Sequence, residues 1–146
     1  TSKEIFYHPM NRAVANMVGV ENIFEGIIAK NEEGLASIDV DGTSIIATTA
    51  FPPGTPVVLY MRPEDITFHV RDGVKSSARN EFTGMITKVL PMGPNARLKV
   101  DAGIKLTAVI TQRSYEELDL ALWKETQLAF KGSAIHVVVR KPLKSV

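Results

Sequence analysis

The stretch from Ser76 to Phe82 brings an arginine and two serines together at the start of a predicted strand. Arg79 would supply a guanidinium, the serines would supply hydroxyl groups, and the small side chain of Ala78 leaves the backbone N–H groups accessible. These are the donors that a small tetrahedral oxyanion needs. Taken alone, the stretch is more typical of a solvated arginine beside turn residues, so its interpretation depends on the rest of the chain.

Two further segments in the second half of the chain carry similar groups, one from Thr111 to Ser114 and one from Lys131 to Ser133. Each is predicted at a strand end or a helix N-terminus, where backbone N–H groups are unpaired. Two cations on separate loops suit a compact, doubly negative tetrahedral ion better than a planar carboxylate. The candidate oxyanion ligands are Ser77, Ala78, Arg79, Thr111, Ser114, Lys131, Gly132 and Ser133.

Each of these groups also has an ordinary structural explanation. Ser114 could be only an N-cap, since Glu117 three residues later completes a capping-box pattern. Lys131 could be a solvated strand end, and Gly132 with Ser133 could form a β-bulge. The case for a site is the joint occurrence of such groups on three segments, two of which carry a positive charge.

Short β segments dominate the chain after residue 20, whereas residues 2–18 show helical spacing interrupted at Pro9. Asp41-Gly42, between two such segments, is the strongest hairpin signal. We therefore expect a mainly β fold in which short N-terminal helices precede two small OB-like β-barrel lobes.

An internal repeat defines the two lobes. Asn22–Ile28 matches Asn80–Ile86, and the turn at Asp41-Gly42 matches the one at Ala102-Gly103. A third match relates Val58–Arg62 to residues 128–131 with a slip of one residue. We predict a helical connector over residues 1–20, a first lobe over 21–72 and a second lobe over 73–141.

Composition argues against several classes of function. With 17 Lys and Arg against 16 Asp and Glu, a broad electrostatic surface for nucleic acid or anionic lipid is not expected. The absence of cysteine excludes disulfides and thiolate metal sites, and no apolar run approaches the ~18 residues of a membrane span. No Gly-Lys-Ser/Thr phosphate loop is present, so ATP hydrolysis is not expected. No nucleophile–base arrangement suggests another catalytic activity.

Several single residues are interpreted as having structural roles only. His8, His69 and His136 lack ligand spacing, so no metal site is expected. Trp123 is interpreted as an anchor that attaches a loop to the core.

Four stretches of the second lobe carry a family resemblance: Ser77–Asn80, Gly84, Ala108–Leu118 and Phe130–Ile135. Together they resemble the Mop fold of molybdate- and tungstate-binding proteins. The resemblance implies that molybdate or tungstate is bound between two copies of the domain, each completing the other's site, with no catalytic cofactor. The residues that it places at the ion are Ser77, Ala78, Arg79, Thr111, Ser114, Lys131 and Gly132. Family members usually have Ala at position 132, and the glycine found here makes that loop less fixed.

The first lobe and the segment before it carry a second resemblance. Glu4–Asn22 is similar to the segment that follows the nucleotide-binding domain in ABC importer ATPase subunits, and Met61–Ile66 resembles the signature of their transport-associated OB (TOBE) domain. Together the resemblances imply the C-terminal regulatory part of a molybdate/tungstate importer ATPase. Because the chain begins at Thr1 rather than Met, we expect it to be a piece of a longer protein.

These resemblances imply partners and a regulatory role. The C-terminal lobes would form a homodimer, and the ATPase domain would connect it to the transmembrane subunits at the cytoplasmic face of the inner membrane. Abundant oxyanion would fill the sites and inhibit transport.

Two other functions compete with this one. The first is a TOBE dimerisation domain of an importer for another solute, with no ligand of its own. The second is a single-strand nucleic-acid module, which requires exposed aromatic residues interleaved with cations. Phe82, Phe130 and Tyr60 lie instead in apolar patterns typical of a core.

The repeat predicts that the two lobes differ in binding. Where the second lobe has Lys131–Ser133, the first has Arg62 followed by Pro63–Asp65. Pro63 lacks a backbone donor, and the two carboxylates would repel a dianion. Glu21 precedes Asn22 where Arg79 precedes Asn80. The first lobe should therefore be a structural partner and the second lobe the binder.

Overall fold

The computed structural model describes residues 21–68 and 79–140, so the N-terminal helices predicted before residue 20 lie outside the described residues. The described part is mainly β, as expected, with one short α-helix and two 3-10 turns. The strands are β1 (Glu21–Glu32), β2 (Leu35–Val40), β3 (Thr43–Thr48), β4 (Pro56–Met61), β5 (Thr67–Phe68), β6 (Arg79–Met92), β7 (Asn95–Asp101), β8 (Lys105–Thr111), β9 (Glu125–Lys131) and β10 (His136–Val139). Helix α1 spans Gln112–Glu117, and the first and second 3-10 turns span Pro63–Asp65 and Gly132–Ala134.

The strands form two five-stranded sheets that exchange their outermost strands. Sheet one has the order β10-β4-β1-β2-β3, and sheet two has the order β5-β9-β6-β7-β8. Strand β5 comes from the first half of the chain but pairs with β9, with Thr67 opposite Ala129. Strand β10 comes from the second half but pairs with β4, with His136 opposite Tyr60. Each sheet is therefore completed by the other half of the chain.

Alternation along the strands places one continuous core between the sheets. Ala36, Ile38 and Val40 of β2 are buried, as are Leu98 and Val100 of β7. Side chains of a strand point alternately to its two faces, so each strand contributes one buried row. Buried residues from both sheets belong to a single cluster.

Glycine is required where the long first strand of each repeat crosses its neighbour. A Cβ on Gly26 would lie 2.8 Å from the carbonyl oxygen of Asp39, and one on Gly84 would lie 2.7 Å from Cγ1 of Val100. Both distances are shorter than van der Waals contact, which explains why the two copies of the repeat share this residue.

The hairpin predicted at Asp41-Gly42 is confirmed. Asp41 has φ of 51° and Gly42 has φ of 87°, the two positive values that a tight two-residue β-turn requires. The predicted repeat is also reflected in the strand ladders. Ile28 faces Ile38 in sheet one, and the matching Ile86 faces Val100 in sheet two.

The cap of α1 differs from the expectation. Thr111, rather than Ser114, is the N-cap, and its hydroxyl oxygen accepts a hydrogen bond from the backbone N–H of Ser114 at 3.0 Å. Strand β8 ends at Thr111, whose extended backbone is the conformation that an N-cap adopts. Glu117 pairs instead with Arg113 at 3.1 Å.

The interpretation of Trp123 as a core anchor is wrong. Its side chain is 66% exposed. The backbone N–H of Trp123 donates to the carbonyl of Ile86 at 2.7 Å, so the main chain rather than the indole attaches this loop to β6.

Candidate oxyanion site

Arg79 and Lys131 are directly opposite each other in the ladder between β6 and β9. Opposite residues of an antiparallel pair project to the same face with Cβ atoms about 4.5–5.5 Å apart. The side chains of Arg79 and Lys131, the two predicted cations, therefore lie next to each other on one face of sheet two. Like charges in this position repel each other unless an anion lies between or beside them.

The guanidinium of Arg79 is incompletely bonded. Its Nε is buried and has no hydrogen-bond partner among the described residues. In the part of the chain that the structure describes, the carboxylate paired with Arg79 is that of Glu81 on the same strand, 3.7 Å from Nε and beyond hydrogen-bonding distance. A buried donor without a partner costs roughly 1–3 kcal/mol, and more when it is charged. A bound oxyanion would remove this cost.

The second 3-10 turn follows Lys131 directly. Its first backbone N–H groups have no partner within the turn, and the side chain of Lys131 does not cap it. Gly132 is buried and Ser133 is exposed. The predicted alternative of a β-bulge at Gly132 is wrong, because the chain forms a 3-10 turn there.

Thr111 ends strand β8 of sheet two and Ser114 lies on α1, both away from Arg79. Thr111 is opposite Asn95, which is in turn opposite Met92, at the far end of β6 from Arg79. The hydroxyl groups of Thr111 and Ser114 are 3.0 Å apart and bond to each other. The strand ladder of one chain thus groups Arg79 with Lys131–Ser133 and separates them from the other pair. Ser77 and Ala78 lie outside the described residues.

Two buried asparagines attach each sheet to the other, a role that sequence reasoning missed. The side-chain amide of Asn80 accepts from the N–H of Ile46 at 2.7 Å and donates to its carbonyl at 2.9 Å. Asn22 makes the same pair of bonds with Thr107, at 2.7 and 2.9 Å. The available signal was the identical asparagine in both copies of the repeat.

The asparagine bonds place Arg79 close to sheet one. Asn80 is the next residue along β6, and the second 3-10 turn also packs against β3. Groups at the start of β6 and the end of β9 therefore lie at the junction of the two sheets.

The first-lobe counterpart of the site has a different composition. Arg62 is exposed, with its side chain 73% accessible, and pairs with Glu64 at 3.9 Å. Pro63 occupies the first position of the first 3-10 turn, where Gly132 stands in the second turn. Pro63 has no N–H to donate to an anion.

Other site types are not evident in residues 21–68 and 79–140. No cluster of His, Asp and Glu there could hold a metal ion. Within the same ranges, no helix is long and apolar enough to cross a membrane. Phe130 is buried and stacks on Phe82 with ring centroids 5.6 Å apart. This agrees with the predicted location of these two rings in the core.

Comparison with known proteins assigns one segment of the chain to a family model. Residues 76–137 match the family model of the TOBE domain. The chain contains a TOBE domain. It is also homologous to the C-terminal portion of molybdate/tungstate import ATP-binding proteins.

Two curated relatives show the extent of this homology. The molybdate/tungstate import ATP-binding protein WtpC of Pyrococcus abyssi is 36% identical over 136 residues, which cover 92% of this chain and 37% of that protein. The WtpC protein of Pyrococcus horikoshii is 32% identical over the same length. The chain with its TOBE domain thus spans just over a third of the length of these relatives.

A solved structure has the same fold. The cytoplasmic molybdate-binding protein ModG, crystallised with molybdate bound, superimposes with a TM-score of 0.72 and 20% sequence identity. The match covers 84% of this chain and 98% of the ModG chain. The tandem β architecture around the TOBE domain is therefore that of ModG.

Proposed function

We propose that this chain is the oxyanion-sensing regulatory region of an ABC importer ATPase subunit and that it binds molybdate or tungstate. The observation that carries the proposal is the buried, unbonded Nε of Arg79 beside Lys131. Two adjacent cations with an unused donor are an arrangement that a dianion stabilises, by neutralising the charges and accepting the hydrogen bond.

The ligands of one ion come from two copies of the chain in this proposal. Arg79, Lys131 and the N–H groups of Gly132 and Ser133 lie at one end of β6 and β9, and Ser77 and Ala78 immediately precede Arg79 in the sequence. Thr111 and Ser114 lie at the other end of sheet two, so they would complete the site of a second copy. A homodimer through the TOBE domains would then be stabilised by the ion.

Regulation follows from a site that is shared between chains. A ligand shifts an equilibrium only towards the arrangement that it binds more tightly. The ion would favour the arrangement in which the dimer sites are complete. In the full transporter, at the cytoplasmic face of the membrane and attached to transmembrane subunits, that arrangement would hold the ATPase domains apart and inhibit import.

Thermal unfolding and calorimetry of the chain with molybdate, tungstate or sulfate test this proposal. A ligand at about 100 times its Kd adds about 2.7 kcal/mol of stability. For a chain of this size, such a gain raises the Tm by roughly 5–10 °C. We expect molybdate and tungstate to produce such a rise and Arg79→Ala or Lys131→Ala to abolish it.

Arg62→Ala is the matched control, because Arg62 precedes the first 3-10 turn as Lys131 precedes the second. It should leave the rise in Tm unchanged. Light scattering should show that the ion increases the dimer fraction. Loss of the rise in the Arg62→Ala protein alone, or no rise with either ion, would contradict the proposal.

One observation favours the alternative of a TOBE dimerisation domain without a ligand. Within one chain Thr111 and Ser114 satisfy each other and lie far along the ladder from Arg79. If neither ion changes the Tm or the oligomeric state, this alternative replaces the proposal.

A further inference from the structure

Glu21 occupies, in the first repeat, the position that Arg79 occupies in the second. Each residue directly precedes the asparagine that bonds to the opposite sheet. Glu21 is opposite Met61 at the end of β4, and Arg79 is opposite Lys131 at the end of β9. The two positions are thus related by the internal repeat but carry opposite charges.

The carboxylate of Glu21 is bonded across the junction of the sheets. It accepts a hydrogen bond from the guanidinium of Arg97 on β7, and the two side chains are 29% and 27% exposed. A register shift in β1 between Glu21 and Ile23, together with φ of 56° at Asn22, breaks the ladder at this point. Such a bulge redirects side chains, and here it coincides with the turn of Glu21 towards sheet two.

The groups around this carboxylate are those that an oxyanion requires. Lys99 lies two residues from Arg97 on the same face of β7, and its ammonium is 3.5 Å from the hydroxyl of Thr107. Thr107 is the residue whose backbone bonds to Asn22. Two cations and a hydroxyl therefore lie beside the start of β1, and Glu21 supplies the negative charge.

The matching place in the second repeat has a cation but no carboxylate from the opposite sheet. The two ladders show which residues are equivalent in the repeats: Val100 corresponds to Ile38. Glu32 faces Leu35 as Leu90 faces Arg97, so the equivalent of Arg97 is the uncharged Leu35. Among the described residues, the ion pair of Arg79 is with Glu81 on its own strand. Arg97 thus has a carboxylate of the opposite sheet as its partner, whereas Arg79 has only Glu81 at 3.7 Å among the described residues, beyond hydrogen-bonding distance of Nε.

We propose that Glu21 is a built-in counter-ion of Arg97 and Lys99, at the junction of the sheets that the repeat relates to the one beside Arg79. Each chain then takes up one tetrahedral dianion, and removal of the Glu21 charge opens a second anion site at Arg97 and Lys99. A carboxylate tethered beside Arg97 competes at an effective concentration in the mM range, which excludes a dilute dianion. The count of one per chain rests on the proposed function, whereas the site at Arg97 does not.

Tungstate is the probe for this inference, because its anomalous scattering locates it in crystals and calorimetry counts it in solution. In the unaltered chain we expect one tungstate per chain, beside Arg79 and Lys131. Glu21→Gln keeps the shape of the side chain but removes its charge, and we expect a second tungstate beside Arg97. Adding Arg97→Gln to Glu21→Gln should return the count to one.

Glu25→Gln is the matched control, because Glu25 is also on β1 and also forms an ion pair, with Arg140 at 3.0 Å. It should leave the count at one. Circular dichroism and the Tm establish that each variant is folded, and Glu21→Ala repeats the test without an amide. A second tungstate beside Arg97 in the unaltered chain overturns the inference, and so does the lack of tungstate beside Arg97 in folded Glu21→Gln and Glu21→Ala.

The outcomes separate this inference from the proposed function. If the unaltered chain binds no tungstate but Glu21→Gln binds one beside Arg97, the proposed function fails and the role of Glu21 is supported. If tungstate lies beside Arg79 in every variant and never beside Arg97, the role of Glu21 fails and the proposed function is supported.

Discussion

Arg79 has two charged neighbours with opposite consequences for an anion. Lys131 across the ladder adds positive charge, while Glu81, two residues along the same strand, adds negative charge 3.7 Å from Nε. Both acid and base are partly exposed, with side chains 29% and 25% accessible, so water and salt weaken the pair. We therefore expect Glu81 to lower the affinity of the proposed site for a dianion without preventing binding.

Replacement of Glu81 tests this charge balance. Glu81→Gln should strengthen tungstate binding because it removes a like charge next to the ion. A partly exposed pair contributes about 0.2–1 kcal/mol, so the expected gain in affinity is up to about fivefold. Calorimetry at low and high salt measures it, and the gain should shrink as salt screens the charges.

Glu125→Gln provides the comparison for this variant. Glu125 is exposed on β9, opposite Met85, in the same ladder but away from Lys131. It should change the affinity much less than Glu81→Gln. Equal effects of the two substitutions would mean that only the net charge of the chain matters.

At the scale of elements, the side-chain amides of two asparagines make the backbone hydrogen bonds that a neighbouring strand would otherwise make. The amides of Asn22 and Asn80 each bond to both the N–H and the carbonyl of one residue on β8 or β3. Strands β3 and β8 are the outer strands of their sheets, so these amides satisfy backbone groups that no neighbouring strand reaches. The bonds thereby connect the start of β6, where the proposed oxyanion site lies, to the packing of both sheets.

Removal of one amide should be costly for stability. Asn80→Ala leaves the N–H and the carbonyl of Ile46 without these partners, and we expect a loss of roughly 2–4 kcal/mol. Denaturant unfolding followed by circular dichroism measures the loss. Asn95→Ala, at the hairpin end of β7, should cost less than about 1 kcal/mol. A small effect at Asn80 would show that water replaces the amide.

At the scale of the whole molecule, strand exchange makes each half of the chain depend on the other. The last strand of sheet one is β10, although the rest of that sheet comes from residues 21–61. The backbone N–H of Arg140 also donates to the carbonyl of Pro56 at 2.9 Å. We therefore expect one cooperative unfolding transition, in which both sheets lose structure together.

Truncation tests this dependence directly. Deletion of residues 136–146 removes β10 and exposes β4, so the amides of β4 should lose hydrogen-exchange protection although they are distant in sequence from the deletion. Deletion of residues 141–146 alone retains β10 and should preserve the protection. If the longer deletion affects only sheet two, the exchange of strands does not contribute to the stability of sheet one.

The sequence by itself determined the local features of this protein. Period-two alternation is a property of adjacent residues, so strands such as Leu35–Val40 could be predicted within a residue or two. The positive φ values of the Asp41-Gly42 turn follow from residue type, and the repeated Asn-x-x-x-Gly pattern predicted two similar lobes. The family resemblance likewise depended on short motifs, from which the chain departs at Gly132.

Only the tertiary structure decided which distant segments meet. Thr67–Phe68 pairs with β9, and β10 pairs with β4. No local pattern predicts these pairings, because they depend on contacts between residues far apart in the chain. The same long-range pairing places Arg79 opposite Lys131, separates both from Thr111, and turns Glu21 towards Arg97. The charges were present in the sequence, but their neighbours were set by the packing of two sheets against each other.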